Sequence, residues 1–194
     1  MQSPVRDTEA ADNAIVAPFA DMTMDEFVAL VAANPDIHYR FNAAGDVILM
    51  SGKYIHSRVQ SLIATHFNIW LWTDALPGYG SITECLYDLG NWRCCPDVAI
   101  SPEQGNTIPQ QAPLVAVEIR SDSNTWSELR EKASRYLEHG TQMVWLVDTD
   151  ARSLELQLPD AAPQTLRGDD FIDGGAVLPG LSLPVSDLFP FPKD

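Results

Sequence analysis

The sequence predicts an α+β fold, in which a mixed β-sheet forms the core and helices pack around it. Two T-x-x-E segments, Thr23–Glu26 and Thr125–Glu128, have the form of capping boxes that begin helices. A nearly continuous apolar run, Leu114–Ile119, is typical of a central strand that is covered on both faces. Helical and strand patterns follow one another along the chain without a repeat, as this class requires.

The first half of the chain is predicted to contain a helix, a hairpin and a longer helix. The helix that begins at the first capping box ends at Asn34-Pro35. Two extended runs, His38–Asn42 and Asp46–Met50, are separated by a short turn and predict a β-hairpin. Apolar residues then recur every three or four positions, which predicts a long helix from Ile55 to about Ala75.

The second half of the chain is predicted to supply most of the sheet. Strands are expected at Ser81–Leu89, at Pro96–Ile100 and, after the helix that starts at Thr125, at Met143–Val147. Leu154–Leu158 is the expected edge neighbour of the last of these. The C-terminal thirty residues are rich in Gly and Pro, and four apolar residues are expected to anchor them: Leu178, Leu181, Leu188 and Phe189.

Composition sets the organisation and the class of the protein. The 194 residues suggest a flexible leader over residues 1–20 and a single domain over residues 21–194. No apolar run reaches the length of a membrane span, because Asp74 ends the longest candidate. Three cysteines, two of them adjacent, are more consistent with reduced thiols in the cytoplasm than with a disulfide framework.

Charge bears on the partners that the protein could have. With 12 basic and 27 acidic side chains the net charge is −15, which argues against a passive coat for nucleic acid. Several of the basic residues nevertheless lie within or beside the segments described next, so a basic cleft on an acidic body could form. Seven residues form this set: Lys53, Arg58, Arg93, Arg120, Arg130, Lys132 and Arg135.

Three charged residues lie where the pattern of a buried strand would not place them. Asp97 begins a predicted strand directly after Pro96, Glu118 interrupts the central strand near its end, and Lys132 lies on the following helix. A buried charge is costly unless it is paired or binds a metal ion. Two carboxylates at neighbouring strand ends could hold Mg²⁺, which polarises a phosphodiester, and a nearby lysine could orient the attacking water.

Structural explanations for the same residues remain open at this point. Asp97 could cap a turn, and Glu118 could pair with Arg120, two positions further along the same strand face. Lys132 follows Glu128 by four residues, the spacing of an ordinary exposed ion pair on a helix. A helical wheel places Lys132 at the edge of the apolar stripe, from which it could also reach the strand ends.

Three segments resemble one protein family. CCPDVAI, LVAVEIRSDS and ELREKASRYLEHGTQMVWLVD are similar to the core of the Uma-two family of restriction-endonuclease-like proteins, within the PD-(D/E)XK nuclease superfamily. The similarity extends to MTMDEFVAL and GDVILMSGKYIH upstream and to LPGLSLPVSDLF downstream, and so covers about residues 22–190. It implies a restriction-endonuclease-like sheet flanked by helices, with an N-terminal helix and β-hairpin.

The resemblance also implies roles for individual residues. Asp97 and Glu118 match the two acidic metal ligands of the motif, which bind Mg²⁺ or Mn²⁺. The usual lysine two residues after the glutamate is replaced by Arg120, and Lys132 matches a lysine that has moved to the helix. His56 matches a histidine at the start of the long helix and could assist proton transfer or contact a phosphate. Arg120 and Glu128 are possible supporting residues.

The function that follows is a Mg²⁺-dependent endonuclease that hydrolyses phosphodiester bonds in DNA. The alternative is an inactive nuclease-fold module for binding or regulation, or a nuclease domain that needs a separate specificity partner, because no helix-turn-helix or zinc-finger pattern is evident. A homodimer is expected, since Trp70 and Trp72 point to opposite sides of the long helix and one of them is left for a partner surface. The expected location is the cytoplasm.

Overall fold

A computed structural model describes residues 23–33, 38–41, 47–50, 54–105, 107–121 and 124–192. The predicted leader, residues 1–20, and the predicted hairpin turn lie outside the described residues. The elements follow in the order α1 (Met24–Ala33), β1 (His38–Phe41), β2 (Val47–Met50), α2 (Tyr54–Leu71), β3 (Tyr79–Thr83), β4 (Tyr87–Asp88), β5 (Arg93–Cys94), β6 (Val98–Pro102), β7 (Val115–Ile119), α3 (Trp126–Glu138), β8 (Met143–Asp148), β9 (Ser153–Gln157), β10 (Gln164–Arg167), β11 (Phe171–Asp173) and β12 (Ser182–Pro184).

The core of the molecule is a mixed six-stranded sheet in the order β10-β9-β8-β7-β6-β3. β7 and β8 are parallel and are connected through α3, whereas the other neighbouring pairs are antiparallel. The expected α+β class with a mixed sheet and flanking helices is therefore confirmed. The expected N-terminal hairpin is also present, with β1 antiparallel to β2.

Each face of the sheet buries a separate apolar cluster. One face packs against α2 and the C-terminal segment, with Ile63, Phe67 and Trp145 among its fully buried side chains. The C-terminal anchors Leu178, Leu181, Leu188 and Phe189 all belong to this cluster, as expected. The other face packs against α3 and the short β4–β5 ribbon. The central strand β7 is buried at every position, because both faces are covered.

Three details differ from the sequence-based expectation. α2 ends at Leu71 rather than near Ala75, because its last turn tightens and Asp74 adopts a left-handed φ of 61°. The expected strand Ser81–Leu89 is interrupted at Glu84, whose φ of 51° turns the chain out of the sheet. The expected strand Leu154–Leu158 is β9, one residue earlier in the chain, and the edge of the sheet beyond it is β10.

The two tryptophans at the end of α2 do point in opposite directions. Trp70 is 7% exposed and donates a hydrogen bond from Nε1 to the Pro179 carbonyl at 3.1 Å, whereas Trp72 is 80% exposed.

None of the three cysteines forms a disulfide. Across the described ranges, no helix has both the length and the apolar character needed to cross a membrane.

Candidate active site

Two residues with carboxylate side chains, Asp97 and Glu118, lie at one end of the sheet, where β7 ends and β6 begins. In the antiparallel register Val98 lies opposite Val117, so Asp97 and Glu118 occupy the next position outward on each chain segment. Side chains that are opposite in an antiparallel pair lie close together. Strand pairing therefore brings together two residues that are far apart in the sequence.

Glu118 forms a buried ion pair with a lysine of α3. Its side chain is fully buried, and Lys132, which is 2% exposed, places Nζ 2.6 Å from Glu118 Oε1. Tyr136, one helical turn after Lys132, donates a hydrogen bond from its hydroxyl to the same oxygen at 2.8 Å. α3 begins with the expected capping box, in which Thr125 and Glu128 exchange hydrogen bonds. This cap fixes where the helix starts and hence which residues reach the strand.

Asp97 is held from two other directions. His56, in the first turn of α2, places Nε2 3.2 Å from Asp97 Oδ1, and the backbone N–H of Ile119 donates to Asp97 Oδ2 at 2.6 Å. Both Asp97 and His56 are 7% exposed. The N-terminus of α2, the start of β6 and the end of β7 thus converge on this carboxylate, and three predicted site residues, Asp97, Glu118 and His56, lie at the same end of the sheet.

Two further residues of this region were not predicted from the sequence. The buried Gln60 donates from Nε2 to the Asp97 carbonyl at 2.9 Å and to Glu84 Oε1 at 3.3 Å. The backbone N–H of Glu84 also donates to the Asp97 carbonyl, at 3.3 Å. The sequence carried one signal for Gln60, because this polar residue lies within the buried stripe of α2, four residues after His56. It carried none for Glu84, whose position depends on the pairing of β3 with β6.

Two of the three structural explanations for the charged residues, the pairs Glu118–Arg120 and Lys132–Glu128, are wrong in this structure. Arg120 places Nη1 3.1 Å from Asp148 Oδ2, at the end of β8, rather than pairing with Glu118. Lys132 does not form an exposed pair with Glu128, because Lys132 is buried against Glu118 and Glu128 serves the helix cap. The supporting residues Arg120 and Glu128 therefore lie near the site, but each has a structural partner there.

The other basic residues near the site are also largely engaged. Arg130 binds Glu155 with both a 2.7 Å and a 3.1 Å contact, and it lies 5.1 Å from the centre of the Trp126 ring. Arg135 is 3.8 Å from Glu131 on the same helix. Arg58 is exposed near the start of α2, and Lys53 lies outside the described residues. Arg120, Arg130 and Arg135 are therefore already paired with carboxylates, which offset the positive charge that they could present to a nucleic acid.

Burial decides the protonation of the neighbouring phenol and thiols. It raises the pKa of Tyr136 well above its ordinary value, so the hydroxyl remains protonated and donates to Glu118. Burial also raises the pKa of Cys94 to about 12 and raises the pKa of Cys95. Because only a thiolate is an effective nucleophile, these two cysteines are not suited to attack a substrate at neutral pH.

The donor atoms at this end of the sheet suit a hard divalent cation. Asp97 and Glu118 present carboxylate oxygens, the ligands that Mg²⁺ prefers, and Mg²⁺ commonly binds one or two carboxylates and completes its shell with water. Within the described residues, no three His, Cys, Asp or Glu side chains are arranged to hold a metal ion together. A cation here would therefore rely on two protein carboxylates and on water or substrate oxygens.

The architecture defines a class, that of α+β domains in which helices flank a mixed six-stranded sheet. The Uma2 (Uma-two) family, described as "Putative restriction endonuclease", matches residues 24–186. The chain therefore belongs to this family. No curated protein is significantly similar to it.

A solved structure supports the same fold. The chain is similar to a protein from Anabaena variabilis that is described as a "putative nuclease belonging to DUF820", solved by crystallography. The TM-score is 0.72 at 23% sequence identity, and the alignment covers 87% of this chain and 98% of that chain. At this identity the likeness establishes the fold of the chain and leaves its chemistry to be argued from the site.

Proposed function

We propose that the protein is a metal-dependent endonuclease that hydrolyses phosphodiester bonds in DNA. The observation that carries the proposal is the buried contact of 2.6 Å between Lys132 Nζ and Glu118 Oε1, directly across the strands from Asp97. A buried charge pair at a strand end is costly to maintain and is weak evidence for stability alone. Membership of a family described as "Putative restriction endonuclease" supports a chemical reason for keeping it.

In this proposal, Asp97 and Glu118 hold a Mg²⁺ or Mn²⁺ ion. When bound, the ion supplies Lewis-acid chemistry, because it polarises the phosphodiester and lowers the pKa of a bound water. Lys132 orients the attacking water and stabilises the negative charge that develops on the phosphate. His56 and the Ile119 N–H keep the Asp97 carboxylate in place. The new bond joins the water oxygen to phosphorus and one P–O ester bond breaks. The attacking water releases one proton to solvent, and the leaving oxygen takes up one proton from solvent.

Substrate contacts are assigned to the groups around this centre. Arg120 lies beside it, two residues beyond Glu118, and guanidinium groups bind phosphates with two hydrogen bonds.

Because a duplex has two strands to cut, the proposed active form is a homodimer with two sites related by a two-fold axis. We place the protein in the cytoplasm, where reduced thiols such as Cys85, Cys94 and Cys95 persist.

A second function is favoured by a specific observation. Both candidate metal ligands already have protein partners, and the net charge of −15 opposes the binding of DNA. A nuclease-fold module that binds a partner without cutting, or a nuclease domain that acquires DNA through a separate specificity partner, would show these features. The non-cutting module differs from both forms of nuclease in one respect, since only a nuclease changes the covalent structure of DNA. The partner-dependent nuclease would do so only when its partner is present.

The experiment that tests the proposal is cleavage of supercoiled plasmid and of single-stranded DNA over a titration of Mg²⁺ and Mn²⁺. We expect nicking or linearisation that requires the metal and stops with a chelator. Glu118→Gln should abolish cleavage, whereas Asp169→Asn, at an exposed position before β11, should leave it unchanged. Binding of DNA without any cleavage at millimolar metal would favour the non-cutting module.

A further inference from the structure

Gln60 is a buried polar residue on the core-facing side of α2. It is 8% exposed and lies one helical turn after His56. Its amide nitrogen carries two hydrogens, and two acceptors lie within reach of them: the Asp97 carbonyl at 2.9 Å and Glu84 Oε1 at 3.3 Å. Because burial of an amide is costly without hydrogen bonds, these two contacts account for a polar residue at this position.

As a result, α2 holds Asp97 at two points. His56 contacts the carboxylate, with Nε2 3.2 Å from Oδ1, whereas Gln60 binds the main chain of Asp97 through the carbonyl oxygen. His56 and Gln60 are four residues apart, the spacing at which side chains on a helix are neighbours. The orientation of the Asp97 carboxylate is therefore restricted from its backbone as well as from its side chain.

Glu84 determines which end of the Gln60 amide faces Asp97. An ionised carboxylate accepts hydrogen bonds and donates none, so Glu84 Oε1 requires the amide nitrogen rather than the amide oxygen on its side. The backbone of Glu84 joins the arrangement, because its N–H donates to the Asp97 carbonyl at 3.3 Å. Glu84 has a φ of 51°, in the left-handed region that is uncommon for residues other than glycine, and such residues cluster at functional sites.

We propose that Gln60 is a positioning residue for the metal site and that Glu84 acts through it by orienting its amide. The inference rests on the proposed function, in which Asp97 is a metal ligand, and it adds the two residues that fix the main chain of this ligand. Side chains that orient a metal ligand contribute a factor of about 10 to 100 to metal affinity. In this role neither Gln60 nor Glu84 has to touch the ion or the substrate.

Binding of Mn²⁺ to the full-length, chelator-treated protein, measured by isothermal titration calorimetry, tests the role of Gln60. Gln60→Met keeps the length of the side chain and removes both donors, so we expect Mn²⁺ binding to weaken by about 10- to 100-fold. The Asp97 carbonyl retains its hydrogen bond from the Glu84 N–H, and the variant is therefore expected to fold. Circular dichroism and melting without metal verify the fold.

Gln157→Met is the matched control. Gln157 is 7% exposed and donates from Nε2 to Glu155 Oε1 at 2.7 Å, so this substitution also removes a buried hydrogen bond between a glutamine and a glutamate. Gln157 lies on β9, which β8 separates from β7, and its replacement should leave Mn²⁺ affinity unchanged. Wild-type affinity in Gln60→Met, or an equal loss of affinity in both variants, would overturn the inference.

Two substitutions of Glu84 test its part in the arrangement. Glu84→Gln keeps an oxygen that can accept a hydrogen bond from Gln60, whereas Glu84→Ala does not. We therefore expect Glu84→Ala to weaken Mn²⁺ binding at least about threefold more than Glu84→Gln does, the scale of one hydrogen bond. Equal Mn²⁺ affinities for these two variants would show that Glu84 does not orient the amide.

Cleavage of plasmid DNA by the same proteins separates a failure of this inference from a failure of the proposed function. Weaker Mn²⁺ binding by Gln60→Met, in a protein whose wild type never cleaves DNA, would support the positioning role and overturn the hydrolysis. Mn²⁺-dependent cleavage by the wild type, together with unchanged affinity in Gln60→Met, would overturn the positioning role alone. A wild type that binds no Mn²⁺ would overturn both.

Discussion

Glu118 and Glu155 lie in the same row of the sheet, one on each side of Leu146, and each is met by a basic residue of α3. Leu146 is opposite Glu118 in the parallel pairing of β7 with β8 and opposite Glu155 in the antiparallel pairing of β8 with β9. Lys132 binds the first carboxylate and Arg130 the second. The helix is thus positioned over the sheet by two ion pairs, of which the more deeply buried lies in the candidate active site.

The buried ion pair between Lys132 and Glu118 leads to a prediction about the stability of the fold. Lys132→Met should lower the free energy of unfolding by about 3–5 kcal/mol, because it leaves the charge of Glu118 buried without its partner. The double variant Glu118→Gln with Lys132→Met removes both charges and should recover most of the loss. Urea unfolding measures both values. Equal free energies of unfolding for the single and double variants would contradict the prediction, because they would show that the unpaired charge of Glu118 is not what destabilises Lys132→Met.

The second pair predicts a dependence of stability on pH. Hydrogen bonds from Arg130 hold the pKa of Glu155 below its ordinary value of 4.5. Because the folded protein keeps this carboxylate ionised to lower pH than the unfolded chain does, the stabilisation is fully present above about pH 4.5 and is lost as the pH falls through the folded-state pKa.

Thermal melting between neutral pH and about pH 3 checks this dependence. As the pH falls below 4.5, the melting temperature of the wild type should decrease more than that of Glu155→Gln, because the variant has no carboxylate to protonate at this position. Glu131→Gln is the control, since Glu131 is exposed and its nearest guanidinium nitrogen, on Arg135, is 3.8 Å away. Parallel melting curves for the wild type and Glu155→Gln across this range would contradict the prediction.

A prediction for the C-terminal segment concerns a close backbone approach. A Cβ at Gly174 would lie 2.2 Å from the Leu178 carbonyl oxygen and 2.7 Å from Leu178 Cβ. Gly174→Ala should therefore cost about 1–3 kcal/mol of unfolding free energy through overpacking. Gly105→Ala is the control, because a Cβ there meets no atom within 4 Å. The prediction fails if the two variants unfold at the same denaturant concentration.

Residues near Asp97 and Glu118 show which parts of the site the sequence could reveal. The two carboxylates and Lys132 were recognisable, because each is a charged residue that interrupts or adjoins an apolar strand or helix pattern within a short stretch of sequence. Gln60 and Glu84 were missed, since their roles come from cross-strand pairing and from a packed helix, neither of which leaves a local pattern. For the same reason the partner of Arg120, which is Asp148 on the next strand, could not be chosen over Glu118 from spacing alone.

The fold shows the same division between local and non-local information. α3 was predicted closely, because the Thr125 capping box and Gly140 mark its ends within the sequence. β10, β11 and β12 were not predicted, since they are three or four residues long and lie in a Gly- and Pro-rich segment. Their pairing is set by tertiary contact with the sheet and the C-terminal core rather than by alternation of apolar and polar residues.

Metal binding at the site is predicted to stabilise the folded protein. A ligand at about 100 times its Kd raises the unfolding free energy by about 2.7 kcal/mol, so millimolar Mg²⁺ or Mn²⁺ should raise the melting temperature by several degrees. Asp97→Asn should fold but lose this shift, and Asp169→Asn should keep it. The absence of any metal-dependent shift in the wild type would remove the basis for a metal at Asp97 and Glu118.

In the proposed reaction Lys132, held against Glu118, is the cation that orients the attacking water. Lys132→Arg is an informative variant, because arginine keeps the positive charge beside Glu118 but replaces the compact ammonium with a larger, planar guanidinium. Arg120→Lys is its counterpart on the strand, and for this variant we expect weaker substrate binding and an altered dependence on salt, with the chemical step retained.

The most direct measurement is the single-turnover rate of Mg²⁺-dependent plasmid cleavage at saturating enzyme for the wild type, Lys132→Arg, Lys132→Ala and Arg120→Lys. Folding of each variant is verified by circular dichroism. We expect a loss of about 10²-fold or more for Lys132→Ala, a loss of at least about tenfold for Lys132→Arg, and a nearly unchanged rate for Arg120→Lys. Cleavage by both Lys132 variants at the wild-type rate, together with an inactive Arg120→Lys, would contradict this expectation.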